Sequence, residues 1–135
     1  MLKIDSMTVV GASARSPEKF GYRVVKKLVG EDAREVYVVH PDGEDICFDS
    51  RTVKSFRNLP EAPPTDNLAF YIPRKLIFDE KPSPEKYGAI WVPPVDGILR
   101  EEGLKEEGEK LKEHFRGLGY DDEVIFMDIC YLRGR

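Results

Sequence analysis

Five short apolar runs alternate with stretches of helical period along this chain. The first, Thr8-Val9-Val10, stops at Gly11, and a polar, basic loop follows from Ala12 to about Phe20. Residues 21–29 then place Val24, Val25, Leu28 and Val29 on one face and Arg23, Lys26 and Lys27 on the other. That spacing predicts a helix, with Gly30 closing it. The second run, Glu35–His40, holds Val36-Tyr37-Val38-Val39, a nearly continuous β-branched stretch that suits a parallel strand buried on both faces. Pro41-Asp42-Gly43 reads as a turn, and Ile46-Cys47-Phe48 as a short strand or an ordered loop. Arg51–Leu59 has no clear period, and Pro60, Pro63 and Pro64 make an extended connector.

The third run is Asn67–Ile72, stopped by Pro73, and the fourth is Ala89–Val92, stopped by Pro93-Pro94. The crossover between them is long enough for a helix, but Pro82 and Pro84 limit it to a turn or two near Arg74–Phe78. The longest helix starts near Ile98 or Gly103 and ends at Arg116. Leu104, Leu111, Phe115 and Leu118 form its apolar stripe, and the Glu-rich run from Glu101 to Glu113 forms a solvated face with His114 at the surface. Val124–Met127 is the last strand, and Asp128–Arg135 is a tail.

Strands alternating with helices signal βαβ units wound into a parallel sheet with helices on both faces. Ligands of such sheets bind beyond the carboxyl ends of the strands, where the strand order reverses. Here those ends are Gly11, His40-Pro41, Ile72-Pro73 and Val92-Pro93. Three of the four carry a proline at the strand end, so the rim is expected to be rigid and partly apolar. Such a rim suits a flat base or a pantetheine arm better than a metal. The glycine turn entering a helix is the arrangement that holds phosphate, because free N–H groups at the helix start point at the anion.

Composition narrows this picture. The chain has 135 residues, one domain's worth, and a net charge of −4 without the basic face of a nucleic-acid protein. Arg15, Lys19 and Arg23 nevertheless cluster around the opening loop, as a small anionic ligand would require. No apolar run approaches the roughly 20 residues of a membrane span, and the N-terminus lacks a secretory signal, so a cytoplasmic protein is expected. Glutamine is absent, asparagine occurs only at Asn58 and Asn67, and charged residues reach 34%, which is a thermophile pattern. Cys47 and Cys130 lack metal-ligand spacing. Ser13 lies in no G-x-S-x-G elbow and is not expected to be a nucleophile. Asp42 reads as a turn residue, although the end of strand two is also where dinucleotide-binding folds place an acid for the ribose.

Taken in order, several stretches resemble one family. Val9-Val10-Gly11-Ala12-Ser13 resembles its first strand and Gly-x-Ser turn, and Gly21-Tyr22-Arg23-Val24 with Leu28 its first helix. Val38-Val39-His40-Pro41-Asp42-Gly43 resembles its Val-x-Asn-Pro-x-Gly turn, and Phe70-Tyr71-Ile72-Pro73 its Val-Pro strand end. Ile90-Trp91 and Met127-Asp128-Ile129-Cys130 resemble its Trp strand and closing Met-Asp-x-Cys. The chain thus looks like a member of the CoA-binding domain family, small Rossmann-like proteins related to the CoA-binding domain of the succinyl-CoA synthetase α subunit. It departs from the family at His40, where asparagine is usual, at Asp42, where lysine is frequent, and at Ile129, where arginine is usual.

The resemblance implies a three-layer α/β/α Rossmann-like sandwich with a mostly parallel sheet of about five strands, and a site for coenzyme A or an acyl-CoA. Gly11, Ala12 and Ser13 would give backbone and hydroxyl contacts, with Phe20, Gly21 and Tyr22 at the helix start. Arg15, Lys19 and Arg23 would neutralise phosphates, and His40-Pro41 would border the adenosine. Ile72, Pro73, Arg74, Val92 and Pro93 would line the rest of the crevice. The expected function is non-catalytic: a carrier, sensor or module for a small nucleotide ligand, with no nucleic-acid or membrane partner and a homodimer as the expected assembly. An NAD(P)-binding or redox protein is the alternative, disfavoured because Gly11-Ala12-Ser13 is not Gly-x-Gly-x-x-Gly. A third option is a subunit that uses the scaffold only for assembly.

Overall fold

A computed structural model describes residues 4–94 and 101–133. Its frame is one sheet of seven strands: β1 (Ser6–Val10), β2 (Glu35–Val39), β3 (Ile46–Cys47), β4 (Thr52–Phe56), β5 (Thr65–Phe70), β6 (Tyr87–Val92) and β7 (Ile125–Met127). Their spatial order is β3-β4-β2-β1-β5-β6-β7, and every pairing is parallel except β3 with β4. Helix α1 (Phe20–Gly30) links β1 to β2, α2 (Arg74–Ile77) links β5 to β6, and α3 (Glu101–Gly117) links β6 to β7. The expectation that α3 begins at Ile98 falls outside the described residues, as does the side chain of Leu104.

Alternation along the strands splits the core into two layers. Met7 and Val9 of β1, Val36 and Val38 of β2, Ala69 and Trp91 face α1, whose Val24, Val25, Leu28 and Val29 are all buried against them. On the opposite face Val10, Val39, Leu68, Phe70, Ile90 and Val92 pack beneath Ile77 of α2 and Leu111 and Phe115 of α3. The layers confirm an α/β/α sandwich. Among the described residues no helix is long and apolar enough to cross a membrane.

Several expectations need correction. The sheet has seven strands rather than about five, because the segment read as lacking a period contains β4, and Ile46–Cys47 pairs with it as β3. β4 runs parallel to β2 with Val53 and Ser55 inward and Thr52 and Lys54 outward. A serine on the buried side hides the alternation. β5 lies two residues earlier than expected, so only β6 is followed directly by proline; His40 precedes Pro41, and Tyr71-Ile72 precede Pro73. His114 is not a plain surface residue. It is half-buried between Phe78 and Phe115, and its Nε2 lies 2.7 Å from the Glu80 carbonyl oxygen.

The tail is also part of the core. After β7 the backbone turns at Asp128, a non-glycine with φ of 60°, and the chain passes onto the α1 face. Cys130 and Tyr131 are buried there, and Tyr131 opens a short 3₁₀ turn. The Tyr131 ring meets Trp91 edge-on, Lys27 Nζ donates to its carbonyl oxygen at 3.0 Å, and its hydroxyl donates to Glu31. Burial and the Glu31 carboxylate push the phenol up to about 12. This segment packs beside α1. Tyr131→Ala is expected to lower stability by about 3 kcal/mol, the usual cost of removing a large buried aromatic. Urea denaturation measures this, and a loss under 1 kcal/mol would show the segment to be peripheral.

Candidate functional site

β1 sits at the centre of the sheet. The chain moves from it to β2 and β4 on one side, then returns to place β5 on the other. The loop leaving β1 goes to the α1 face and the loop leaving β5 to the opposite face, so the switch point, where a sheet of this kind has its ligand crevice, lies between their carboxyl ends. The strand ends predicted to form the site, those of β2, β1, β5 and β6, are consecutive neighbours.

Gly11 shapes the crevice floor. Its φ is +104°, and a Cβ there would overlap the Tyr71 carbonyl oxygen and sit 2.9 Å from Cγ2 of Ile72. Only glycine allows both the turn and the close approach. The Gly11 N–H donates to Val39 O at 2.9 Å and the Tyr71 N–H to Val10 O at 2.7 Å, so the turn is tied to both neighbouring strands. Gly21 repeats the device one step on: a Cβ would lie 3.2 Å from Cα of Ala12 and 3.3 Å from Cβ of Tyr71. The two glycines and Ala12 bring the start of α1 down onto the ends of β1 and β5. Lys19 occupies the N-cap position with extended backbone, no side chain caps the first turn, and that turn contains no acid. The positive end of α1 is therefore unclaimed by the protein's own carboxylates.

The loop between Gly11 and α1 is ordered by Ser13. Its hydroxyl is buried, accepts from the Arg15 N–H at 3.1 Å and donates to Asp42 Oδ2 at 2.9 Å. Asp42 Oδ1 accepts from the Glu44 N–H at 2.9 Å, and His40 Nδ1 accepts from the Asp42 N–H at 3.1 Å while lying 3.2 Å from Asp42 Oδ2. The Glu44 amide, then the Ser13 hydroxyl and His40, hold the Asp42 carboxyl below its ordinary range despite some desolvation. Arg15 is exposed and pairs with Glu44 at 3.1 Å. These contacts latch the β1 loop to the β2 turn. The carboxylate lies between hydroxyl and imidazole, the reverse of the Ser–His–Asp order in which imidazole takes the hydroxyl proton. The geometry fixes the loop.

The remaining expected residues divide. Lys19 and Arg23 are exposed near the start of α1, with the Arg23 guanidinium 5.3 Å from the Phe20 ring centroid. Tyr22 is half-buried against Phe48, with ring centroids 5.7 Å apart. Pro41 and Pro73 are exposed and Ile72 and Pro93 half-buried at the rim. Val92 is fully buried, so its side chain belongs to the core. Arg74 is buried too, donating to Pro93 O at 3.0 Å and Asp128 Oδ1 at 2.5 Å, and it clips the ends of β5, β6 and β7 together. Its Nε has no partner among the described residues. Tyr71 and Cys130 meet at 3.2 Å, and burial, with the thiol beside it, raises the Tyr71 phenol well above its ordinary value. Both cysteines are free.

Sequence reasoning placed Asp42 in a turn and did not pair it with Ser13, nor Arg74 with Asp128. The Asp-Gly turn directly after a buried strand was the available signal for the first.

The segment carrying the Gly11 loop, α1, the Asp42 turn and α2 coincides with a family match: the CoA binding domain, over residues 5–79. The chain belongs to the CoA binding domain family. A conserved hypothetical protein from Pyrococcus furiosus shares the fold, with a TM-score of 0.65 and 20% identity over 98% of this chain and 100% of that one. No curated protein matches the chain. In this CoA binding domain the matched segment ends within the turn after α2, so β6, α3, β7 and the buried Tyr131 segment lie beyond it.

Three substitutions test this geometry. Gly11→Ala is expected to cost about 3 kcal/mol or more, from an unfavourable φ plus overlap with backbone. Gly30→Ala, where a Cβ meets nothing within 4 Å, should be neutral or stabilising by up to about 1 kcal/mol. Equal effects in chemical denaturation would contradict the close approach at Gly11. Asp42→Ala should lose roughly 1 kcal/mol at pH 7. A carboxyl whose folded pKa is depressed stabilises fully above its unfolded value, near 3.8, and loses that contribution as pH falls through the folded value. The gap between wild type and Asp42→Ala should therefore close below about pH 3.8; a gap unchanged between pH 7 and pH 3 would show that the charge plays no part.

Proposed function

We propose that this chain binds coenzyme A or an acyl-CoA across the carboxyl ends of β2, β1, β5 and β6, as a carrier, sensor or module with no chemistry of its own. The observation that carries the reading is the uncapped, acid-free start of α1, seated behind the Gly11 turn inside the segment matched by the CoA binding domain family. A helix start of this kind offers amide donors and a positive dipole to a phosphate. Exposed Lys19 and Arg23 add charge beside it, and charge-assisted hydrogen bonds are the strong ones. Ile72 and the prolines at 41, 73 and 93 supply a stiff, partly apolar rim for the base and the pantetheine arm. The inverted order of Ser13, Asp42 and His40 supports binding over catalysis.

The competing reading, a nicotinamide dinucleotide site, has one observation in its favour, the acid at the end of β2. Against it, the loop offers no second glycine before Gly21, and Gly21 is consumed in packing α1 on Ala12.

Calorimetry should detect CoA binding at micromolar or tighter affinity in low salt, weakening as salt rises. Arg23→Glu should reduce affinity about tenfold, or about 1.4 kcal/mol. Absence of binding to CoA and to acetyl-CoA, or tighter binding of NAD than of either, would overturn the proposal.

A further inference from the structure

The charge at the end of β2 goes one step further, and the step rests on the CoA reading above. In an open parallel sheet the ribose of a bound adenosine lies between the loop after β1 and the end of β2, where a carboxylate accepts from free ribose hydroxyls and a nearby arginine instead accommodates a ribose phosphate. Here those two elements carry Ser13 and Asp42, which are joined at 2.9 Å. We propose that Asp42 makes this site select an adenosine ribose that carries no phosphate, so that 3′-dephospho-CoA is preferred to CoA.

Three observations support the choice. First, Asp42 is fixed in place and only 18% of its side chain is exposed, because the Glu44 amide and the Ser13 hydroxyl bond its two carboxylate oxygens and His40 Nδ1 accepts from its backbone N–H. It cannot swing away from an arriving anion without breaking those bonds. Second, each oxygen keeps acceptor capacity, since a carboxylate accepts about four hydrogen bonds and Asp42 uses one on Oδ1, from the Glu44 amide, and one on Oδ2, from Ser13. Two ribose hydroxyls can be accepted there, whereas a phosphate dianion brings acceptors and like charge. Third, neither Arg15 nor Arg57 contacts Asp42 among the described residues. Arg15 is paired with Glu44, and Arg57 lies against Gly43 with its NH1 toward Pro41 O at 3.4 Å, having entered from β4 on the side of β2 away from β1. His40 Nδ1 is occupied by the Asp42 amide. Asp42 is a specificity residue in this account and Glu44 reinforces its charge.

The test is titration calorimetry of the full chain with CoA and with 3′-dephospho-CoA. Wild type should bind dephospho-CoA at least tenfold more tightly in low salt, and the ratio should shrink at high salt because it arises from charge repulsion. Asp42→Asn, which keeps an oxygen for the Glu44 amide, should bring the two ligands within about threefold, and Asp42→Lys should reverse their order. Equal binding by wild type, or tighter binding of CoA, overturns the inference and leaves the CoA reading standing. Tighter CoA binding that is lost in Arg57→Ala would assign the ribose phosphate to Arg57 instead. Binding of neither ligand overturns the CoA reading itself. The wild-type comparison needs no variant, so a misfolded Asp42→Lys does not spare the inference.

Discussion

The contact on which the rest depends is the passage of the β1 exit beneath the Tyr71 carbonyl. β1 is the central strand, and both neighbours hold it to its last residue, through Gly11 N–H to Val39 O and Tyr71 N–H to Val10 O. There is no room at that point for a side chain. Because the backbone can cross there, Ala12 reaches the packing position that Gly21 needs, and α1 descends until its first turn overlooks the strand ends. A helix start points amides at a ligand only if it stands close to the crevice. Here the closeness is set by three residues with almost no side chain.

On either side of this crossing the strand ends are tied by polar bridges. Ser13 and Asp42 join the β1 loop to the β2 turn, and Arg74 joins the ends of β5, β6 and β7 through Pro93 and Asp128. The two bridges differ physically. Arg74 is buried and its ion pair is exposed on the Asp128 side, so removing the acid would strand a desolvated charge. Asp42 bonds both within its own turn, to the Glu44 amide, and across to Ser13 of the β1 loop. Together they make the crevice rim a consequence of fold topology, because each bridge spans strands that are adjacent only in the assembled sheet.

That distinction explains what was legible beforehand. β1, β2, β5 and β6 were readable because burial on both faces demands continuous apolar runs such as Val36–Val39. Helix α1 was readable from the spacing of Val24, Val25, Leu28 and Val29, all buried as expected. β4 was not, because Ser55 occupies a buried position and Thr52 and Lys54 face water. Tyr131 was not, since one aromatic in a short charged tail has no period. Gly11 and the basic loop announced a site by local grammar alone. The pairing of Ser13 with Asp42, 29 residues away, did not, because it exists only once β2 lies beside β1. Strand order is carried by no local pattern.

The electrostatic layout also separates the groups that can turn toward a ligand from those that cannot. Arg15 and Glu44 form an exposed pair, of a kind worth at most about 1 kcal/mol, which turns Arg15 toward the β2 turn rather than the start of α1. Arg23 and Lys19 are solvated and available there. Asp42 is not, because its oxygens fix the loop that carries Ser13. A ligand entering this crevice therefore meets mobile positive charge over the start of α1 and a fixed negative charge at the end of β2. The mobile groups can adapt to any phosphate chain, whereas the fixed one imposes a condition. On the proposed reading, discrimination between nucleotides belongs to the rigid acid more than to the basic cluster of the loop.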